Sequence, residues 1–358
     1  KGKASPTTDP VSALIFRRDS RFDMQGTASN PIVFTSDELP GSRTVGAWGG
    51  LVLNGRGTVN VPGGEGLAEG LSGVPFGGNS PNEKSGTLSF TRIEFAGHVL
   101  SLDNELNSLT MNALGRGTDI HHVEALRGKD DGFEWFGGNN FIHHVVSAAN
   151  NDDNLDTQLG TLGGAQYALI LEHKASTDLN PHSNGFEADN NENGFDLLPR
   201  SNAKFCNVTA IGFNQQSTGT GASASSGALL RRGTGEQIAN SIVMDFKTAA
   251  FKIDDNATLN AACSGGALTG VLSVRNSIVF GNTALAAGSA SGGGCTPSSA
   301  VGLFGLTNTD PQIDINARLF NPPFSAVPLA GSPAGTLATL DCSTLDSLFD
   351  SNTTAPYL

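Results

Sequence analysis

Asp119-Ile120-His121-His122-Val123 returns 22 residues later as Phe141-Ile142-His143-His144-Val145. The segments that follow keep the same step, with Asp131-Gly132-Phe133-Glu134 aligning on Asp153-Asn154-Leu155-Asp156. Each unit holds two or three strand-length apolar runs and no helix-length one, and self-similarity at a period of about 20–50 residues marks a stacked array. A propeller blade would need four strands and about 40 residues, and a leucine-rich repeat a fixed leucine and asparagine frame. One turn of a parallel β-helix fits instead. Stacking such turns sets equivalent residues about 4.8 Å apart, with apolar side chains in internal ladders and polar ones in external ladders.

Outward from this pair the same texture continues. Short runs rich in Val, Ile, Phe and Leu recur at 31–35, 50–53, 87–95, 168–171, 205–211, 238–244 and 271–280, each closed by Gly, Asn or Asp. Asn240-Ser241-Ile242-Val243-Met244 matches Asn276-Ser277-Ile278-Val279-Phe280 at a longer step, as a loop insertion between coils would produce. Stretches 61–86, 215–227, 256–270 and 283–300 are rich in Gly, Ser, Ala and Pro and read as surface excursions. The 46 glycines and 15% charged residues among 358 suit a chain of tight turns and exclude an ordinary helical or doubly wound fold. No linker separates two cores. The expectation is one all-β domain, a right-handed parallel β-helix over 1–309, with 310–358 as a less regular capping segment. The start at Lys1-Gly2-Lys3, leading directly into a strand-like run, suggests that further coils and an export signal lie upstream.

Several segments carry a family resemblance: Gly26-Thr27-Ala28-Ser29-Asn30-Pro31-Ile32-Val33-Phe34-Thr35, Trp48-Gly49-Gly50-Leu51-Val52-Leu53-Asn54-Gly55, Asp130-Asp131-Gly132-Phe133-Glu134-Trp135-Phe136-Gly137-Gly138, Asn151-Asp152-Asp153-Asn154-Leu155-Asp156 and Leu229-Leu230-Arg231-Arg232-Gly233-Thr234. Together they resemble bacterial exported right-handed parallel β-helix proteins, which often carry a lipoprotein signal or a secretion-tail domain. The resemblance covers roughly residues 12–282. It implies the fold, an extracellular or outer-membrane surface location and additional upstream coils. It carries over no chemistry, and the paired histidines are not a family feature.

Charge is the next constraint. A net charge of −13 with no basic stripe argues against nucleic acid as partner, and no run of about 18 apolar residues would span a bilayer. Between Asp119 and Asp196 there are 14 acidic residues against Arg127, Lys129 and Lys174, so one stretch holds most of the imbalance. Asp130, Asp131 and Glu134 on one coil and Asp152, Asp153 and Asp156 on the next would stack one strand spacing apart. Like charges opposite one another destabilise a sheet. Calcium, which takes six to eight oxygens, is the natural neutraliser, with Asn150, Asn151 and Asn154 as neutral donors and Glu187, Asp189 and Asp196 extending the column. The alternative is that these residues cap turns and face water.

Strand alternation sends His121 and His122 to opposite faces, and likewise His143 and His144, giving two ladders of two imidazoles. The outward pair, with Asp119 or Glu124, could bind zinc or copper; the plainer outcome is one buried and one solvated ladder. Arg127 and Lys129 adjoin the acids, and Arg231, Arg232 and Lys252 form a second basic group on later coils. A cation beside such a base is what a lyase acting on acidic glycans requires, whereas counter-charges need only pair with Asp130 and Asp131. Cys263 and Cys295 lie in Gly/Ser/Ala-rich loops that a disulfide would staple, and Cys206 reads as a small buried hydrophobe. Trp48 and Trp135 are the two indoles available as a sugar platform, while the 20 phenylalanines suit the core.

No nucleophile elbow, phosphate loop or HExxH motif is present. The sequence points to an exported, calcium-stabilised structural or adhesive β-helix whose partner is a polysaccharide, another cell-surface polymer, or a second copy in a filament or layer. A polysaccharide lyase using Lys129 and Arg127 is the alternative, and metal handling by the histidines a third.

Overall fold

The computed structural model describes residues 12–101, 104–173, 183–214, 225–323, 325–336 and 339–351. The abrupt start at 1–11 and most of the excursion 215–227 lie outside the described residues. The chain winds as a right-handed parallel β-helix with two main sheets. Among the described residues one sheet has nine strands, including Leu109–Asn112, Phe133–Phe136, Leu155–Gln158, Phe186–Asp189, Ser226–Arg231 and Ala249–Ile253 in that spatial order, and the other has eleven, including Gly86–Glu94, Asp119–Leu126, Phe141–Ala148, Gly164–Leu171 and Lys204–Ile211. Successive coils pair parallel at the step the sequence repeats, with Ile120 beside Ile142 and Glu134 beside Asp156.

Inward positions stack as apolar columns. Leu109, Phe133, Leu155, Phe186, Ala228 and Phe251 follow one another in register down the first sheet, all buried. Met111, Trp135, Thr157, Ala188 and Leu230 form the next column, and Ile120, Ile142, Ala165, Phe205 and Ile238 face them from the second sheet. Each such side chain touches its copies above and below, so burial is continuous along the axis rather than concentrated in one centre. Trp48 and Trp135 belong to this interior, at 4% and 0% exposure, and Trp48 donates its indole N–H to the Glu94 carbonyl at 2.9 Å. Neither forms a surface platform, because flat bulky rings fill a coil interior better than they lie on its rim.

The long strands of the second sheet bend at a single residue. Phe90, His122, His144, Tyr167 and Asn207 occupy equivalent positions with φ of 46°, 52°, 55°, 57° and 58°, and Asn240 and Asn276 continue the column at 48° and 49°. One left-handed residue interrupts the two-residue alternation, so that two consecutive side chains point outward between inward neighbours. The bend splits each long strand into two faces and gives the coil a third side.

Two of the Gly/Ser-rich excursions hold helices. Asn256–Ala262 starts on Asp255, whose carboxylate accepts from the Thr258 N–H at 2.8 Å, and Pro297–Leu303 starts on a Thr296/Ser299 capping box. Cys263 and Cys295, at the adjoining ends of these helices, are disulfide-bonded. Cys206 is buried but not free: it pairs with Cys342, 136 residues away. A fully buried cysteine gives no sequence hint of a distant partner, which is why it reads as a lone hydrophobe. The bond fixes the C-terminal segment along the flank of the solenoid. There Arg318 pairs with buried Asp245 at 2.7 Å, Asn240 exchanges bonds of 2.7 and 2.9 Å with the Leu340 backbone, and Arg116 holds Asp346. The segment reaches Phe141 through Phe349 and Gln166 through Asp350.

Candidate functional site

The outward face of the first sheet carries a column of carboxylates. Thr110, Glu134, Asp156, Glu187, Leu229 and Lys252 succeed one another in register, so stacking brings Glu134, Asp156 and Glu187 together on three consecutive coils. The turn before each strand adds Asp130, Asp131, Asp152 and Asp153. Carboxylate oxygens of Asp131, Glu134 and Asp156 all lie within 4.8 Å of one another, as do those of Asp130, Asp131 and Asp152. Asp131 is shared, joining a deep trio to a half-buried rim trio. At an effective dielectric of about 20, each like-charged pair at this separation would cost about 3 kcal/mol.

Burial makes that repulsion acute. Asp131, Glu134 and Asp156 are 7%, 3% and 8% exposed. Burial first, and neighbouring carboxylates second, push the pKa of Asp131, Glu134, Asp153 and Asp156 well above the usual carboxylate range. Asp130 moves the same way through burial, then Asp152, Glu69 and Glu105. Hydrogen bonds hold the column in place without neutralising it. Glu134 accepts from Asn107 and, at 2.9 Å, from Gln158; Asp131 Oδ1 accepts the Asp153 N–H at 2.9 Å, and Asp153 accepts the Asn184 N–H. Asp156 Oδ1 is buried with no hydrogen-bond partner. Among the described residues none of the deep trio forms a salt bridge. Three acidic groups with an orphaned oxygen are the donor chemistry of a hard cation such as calcium.

The far end of the column is neutralised differently. Arg231 bonds Glu187 and, at 2.9 Å, Asp189, while Arg232 reaches Asp189 at 2.6 Å. Burial opposes the charge on Arg231, but Glu187 and Asp189 outweigh it and raise its pKa above the ordinary guanidinium value. Glu187 is raised by burial and Asp189, with Arg231 pulling the other way. Lys252 pairs with Asp254 at 2.8 Å. Arg127 is exposed at a left-handed turn residue, φ 55°, and Lys129 is half-buried beside Asp130. Asp196 is exposed and paired with Arg200 at 2.6 Å, apart from the column.

The asparagines expected as ligands serve the turns. Asn150 Oδ1 accepts the Gly128 N–H at 2.7 Å and its amide donates to Ser147, while Asn154 donates to the Asn184 carbonyl at 3.0 Å. Each ties one coil to the next, so their side-chain oxygens and amides satisfy backbone groups that the turns leave open. Sequence reasoning missed Glu69, Glu105 and Asn107. Burial pushes Glu69 up to about 7 against a hydrogen bond from the Glu105 backbone, with the Glu105 charge adding to the rise, and the charge of Glu69 acts on Asp130 and Glu134. It comes from the excursion around the hairpin Glu65–Leu67 and Pro75–Gly77, which follows no repeat and so gives no positional signal. Glu236 was also missed. It is buried, accepts from Thr157 at 3.2 Å, and is pushed up to about 8 by burial.

The histidines depart from the expected two ladders on opposite faces. Because His122 and His144 are left-handed, all four imidazoles lie on the outer side, between buried Ile120 and Val123 on one coil and Ile142 and Val145 on the next. Nδ1 of His121 faces Nδ1 of His122 at 2.8 Å, and His143 and His144 repeat the contact at 2.8 Å. His121 stacks on His143 with centroids 5.1 Å apart, and His122 on His144 at 4.8 Å.

The family described as a pectate-lyase-like β-helix domain matches residues 3–285. The chain belongs to that family. No curated protein and no solved structure is significantly similar to it.

Proposed function

We propose that this is an exported β-helix that binds an acidic polysaccharide through a calcium ion held by Asp131, Glu134 and Asp156, in a structural or adhesive role. The observation that carries it is the deep trio itself: three buried carboxylates within 4.8 Å of one another, with an orphaned oxygen on Asp156. The ion, when bound, supplies positive charge that both neutralises the column and attracts uronate carboxylates. The chain's own residues do the rest. Asn107 and Gln158 orient Glu134, and the Asp153 N–H orients Asp131. Membership of a pectate-lyase-like family supports a polysaccharide as the partner. Two disulfides support an oxidising compartment and hence export.

Lyase activity is the second reading, favoured by the family and by Lys129 beside Asp130. Against it, Arg231, Arg232 and Lys252 are all engaged in ion pairs, and a base that removes a proton must first be able to lose its own. The test is binding of pectate and alginate, with neutral glucans as controls, in calcium and then in chelator, followed by ultraviolet absorbance for unsaturated products. Calcium-dependent retention of acidic polymers without new absorbance is expected. New absorbance that is lost in Lys129→Ala would replace binding by elimination, and no retention in either condition would remove the polysaccharide altogether.

A further inference from the structure

The histidine quartet is independent of the carboxylate column and unused by it. We infer that His121, His122, His143 and His144 bind one borderline transition-metal ion, of the zinc, nickel or copper class, on the outer surface of the second sheet. Within each coil two Nδ1 atoms face one another at 2.8 Å. Nitrogens at that separation subtend about 85° at an ion about 2.05 Å from each, the cis angle of square-planar or octahedral copper and nickel and narrower than tetrahedral zinc prefers. The second dyad lies one strand spacing below the first, and its nitrogens do not converge with those of the first as the rings stand; turning the exposed His122 and His144 rings about their side-chain bonds lets a single ion draw on both.

His122 lies against Phe90 at 4.4 Å and His144 against Tyr167 at 4.8 Å, so an aromatic ring borders the quartet above and below. A stack of this kind offers ring edges to solvent rather than faces, which suits nitrogen ligation and not sugar stacking. Asp119 and Asp350 act on the cluster as nearby negative charges that favour a cation.

The chain supplies its own conservative replacements. Asparagine fills the His122 position on three later coils, as Asn207, Asn240 and Asn276, with the same left-handed backbone. Glutamine follows His143 in register, as Gln166. The experiment is calorimetric titration of the whole chain with zinc sulfate, and electron paramagnetic resonance with copper. Wild type and Asp131→Asn are expected to take one ion per chain, with nitrogen hyperfine structure on the copper signal. His122→Asn/His144→Asn, folded by circular dichroism, is expected to lose about tenfold or more in affinity together with that nitrogen signature, and His121→Gln/His143→Gln likewise. Unchanged affinity in both double variants, absence of binding to wild type, or binding abolished by Asp131→Asn would each overturn the assignment, the last by giving the ion to the carboxylates.

Discussion

The carboxylate column and the histidine quartet are written by the same 22-residue step, yet stacking does opposite things to them. In the first sheet Glu134 and Asp156 keep strict alternation with inward Trp135 and Thr157, and the step piles charge into a wall that water barely reaches. At the bend of the second sheet the step piles imidazole rings, and the left-handed residue turns both members of each pair outward. Repetition therefore has no sign of its own: what a repeated residue contributes depends on whether its rung is buried and whether it carries charge. The left-handed column adds a second contrast. Its histidine half is exposed, while its asparagine half lies under the C-terminal segment, with Asn240 bonded to Leu340 and Cys206 to Cys342.

The largest expected effect comes from removing that cover. Cys206→Ala/Cys342→Ala opens a loop of 136 residues, and loop-closure entropy alone predicts a loss of about 5 kcal/mol in urea unfolding. Hydrogen exchange should rise at 339–351 and at Asn207 and Asn240, and stay unchanged along the carboxylate column. Exchange rising equally in both regions would mean that they unfold as one unit and that the contrast between them is only local.

Glu236 separates burial from like-charge repulsion, because it sits inside the coil with Thr157 as its hydrogen-bond donor and Oε1 unpaired. Its pKa rises from 4.5 to about 8. A carboxyl raised in the folded state binds its proton more tightly there, so its contribution is fully present below about pH 4.5 and is lost as pH climbs toward 8. Glu236→Gln should therefore flatten the stability profile across that window and gain about 3 kcal/mol over wild type at pH 7. An unchanged profile would locate the pH dependence in the column instead.

The column itself should show a reversal of sign. Asp131, Glu134 and Asp156 are all raised, so the cation-free protein loses stability as pH rises above the ordinary carboxylate range. Calcium at about 100 times its dissociation constant should restore about 2.7 kcal/mol. Asp156→Asn should be more stable than wild type in chelator and less stable in calcium, read as paired thermal melts. The same sign in both conditions would make the trio a set of protonated acids rather than a cation site.

Much of this was legible from residues alone. The Asp119 and Phe141 repeat gave the coil, its length and the stacking of Glu134 on Asp156, because parallel pairing converts a sequence offset directly into a neighbour. Four things were not legible, each for a physical reason. Backbone handedness at His122 leaves no trace in a His-His pair, so alternation predicted the wrong faces. Cys206 and Cys342 are joined by a path along the flank that no period encodes. Glu69 arrives from an excursion outside the repeat, and Trp135 looks like a surface indole until the coil closes around it.

The smallest effect tests the bend directly. A left-handed residue with a side chain costs about 1–2 kcal/mol, and asparagine tolerates it better than most because its short amide bonds to the local backbone. Asn207, Asn240 and Asn276 fill this column where the C-terminal segment or later coils crowd it, while His122 and His144 fill it where the rings stack. His144→Asn should then leave metal-free stability within about 0.5 kcal/mol of wild type, the lost stacking being offset by easier backbone geometry. His144→Val keeps bulk but is β-branched, and should cost about 1–2 kcal/mol more than the asparagine variant. Equal costs for the two would mean that ring stacking rather than backbone handedness fixes the bend, and the histidine and asparagine halves of the column would then owe their shared geometry to different causes.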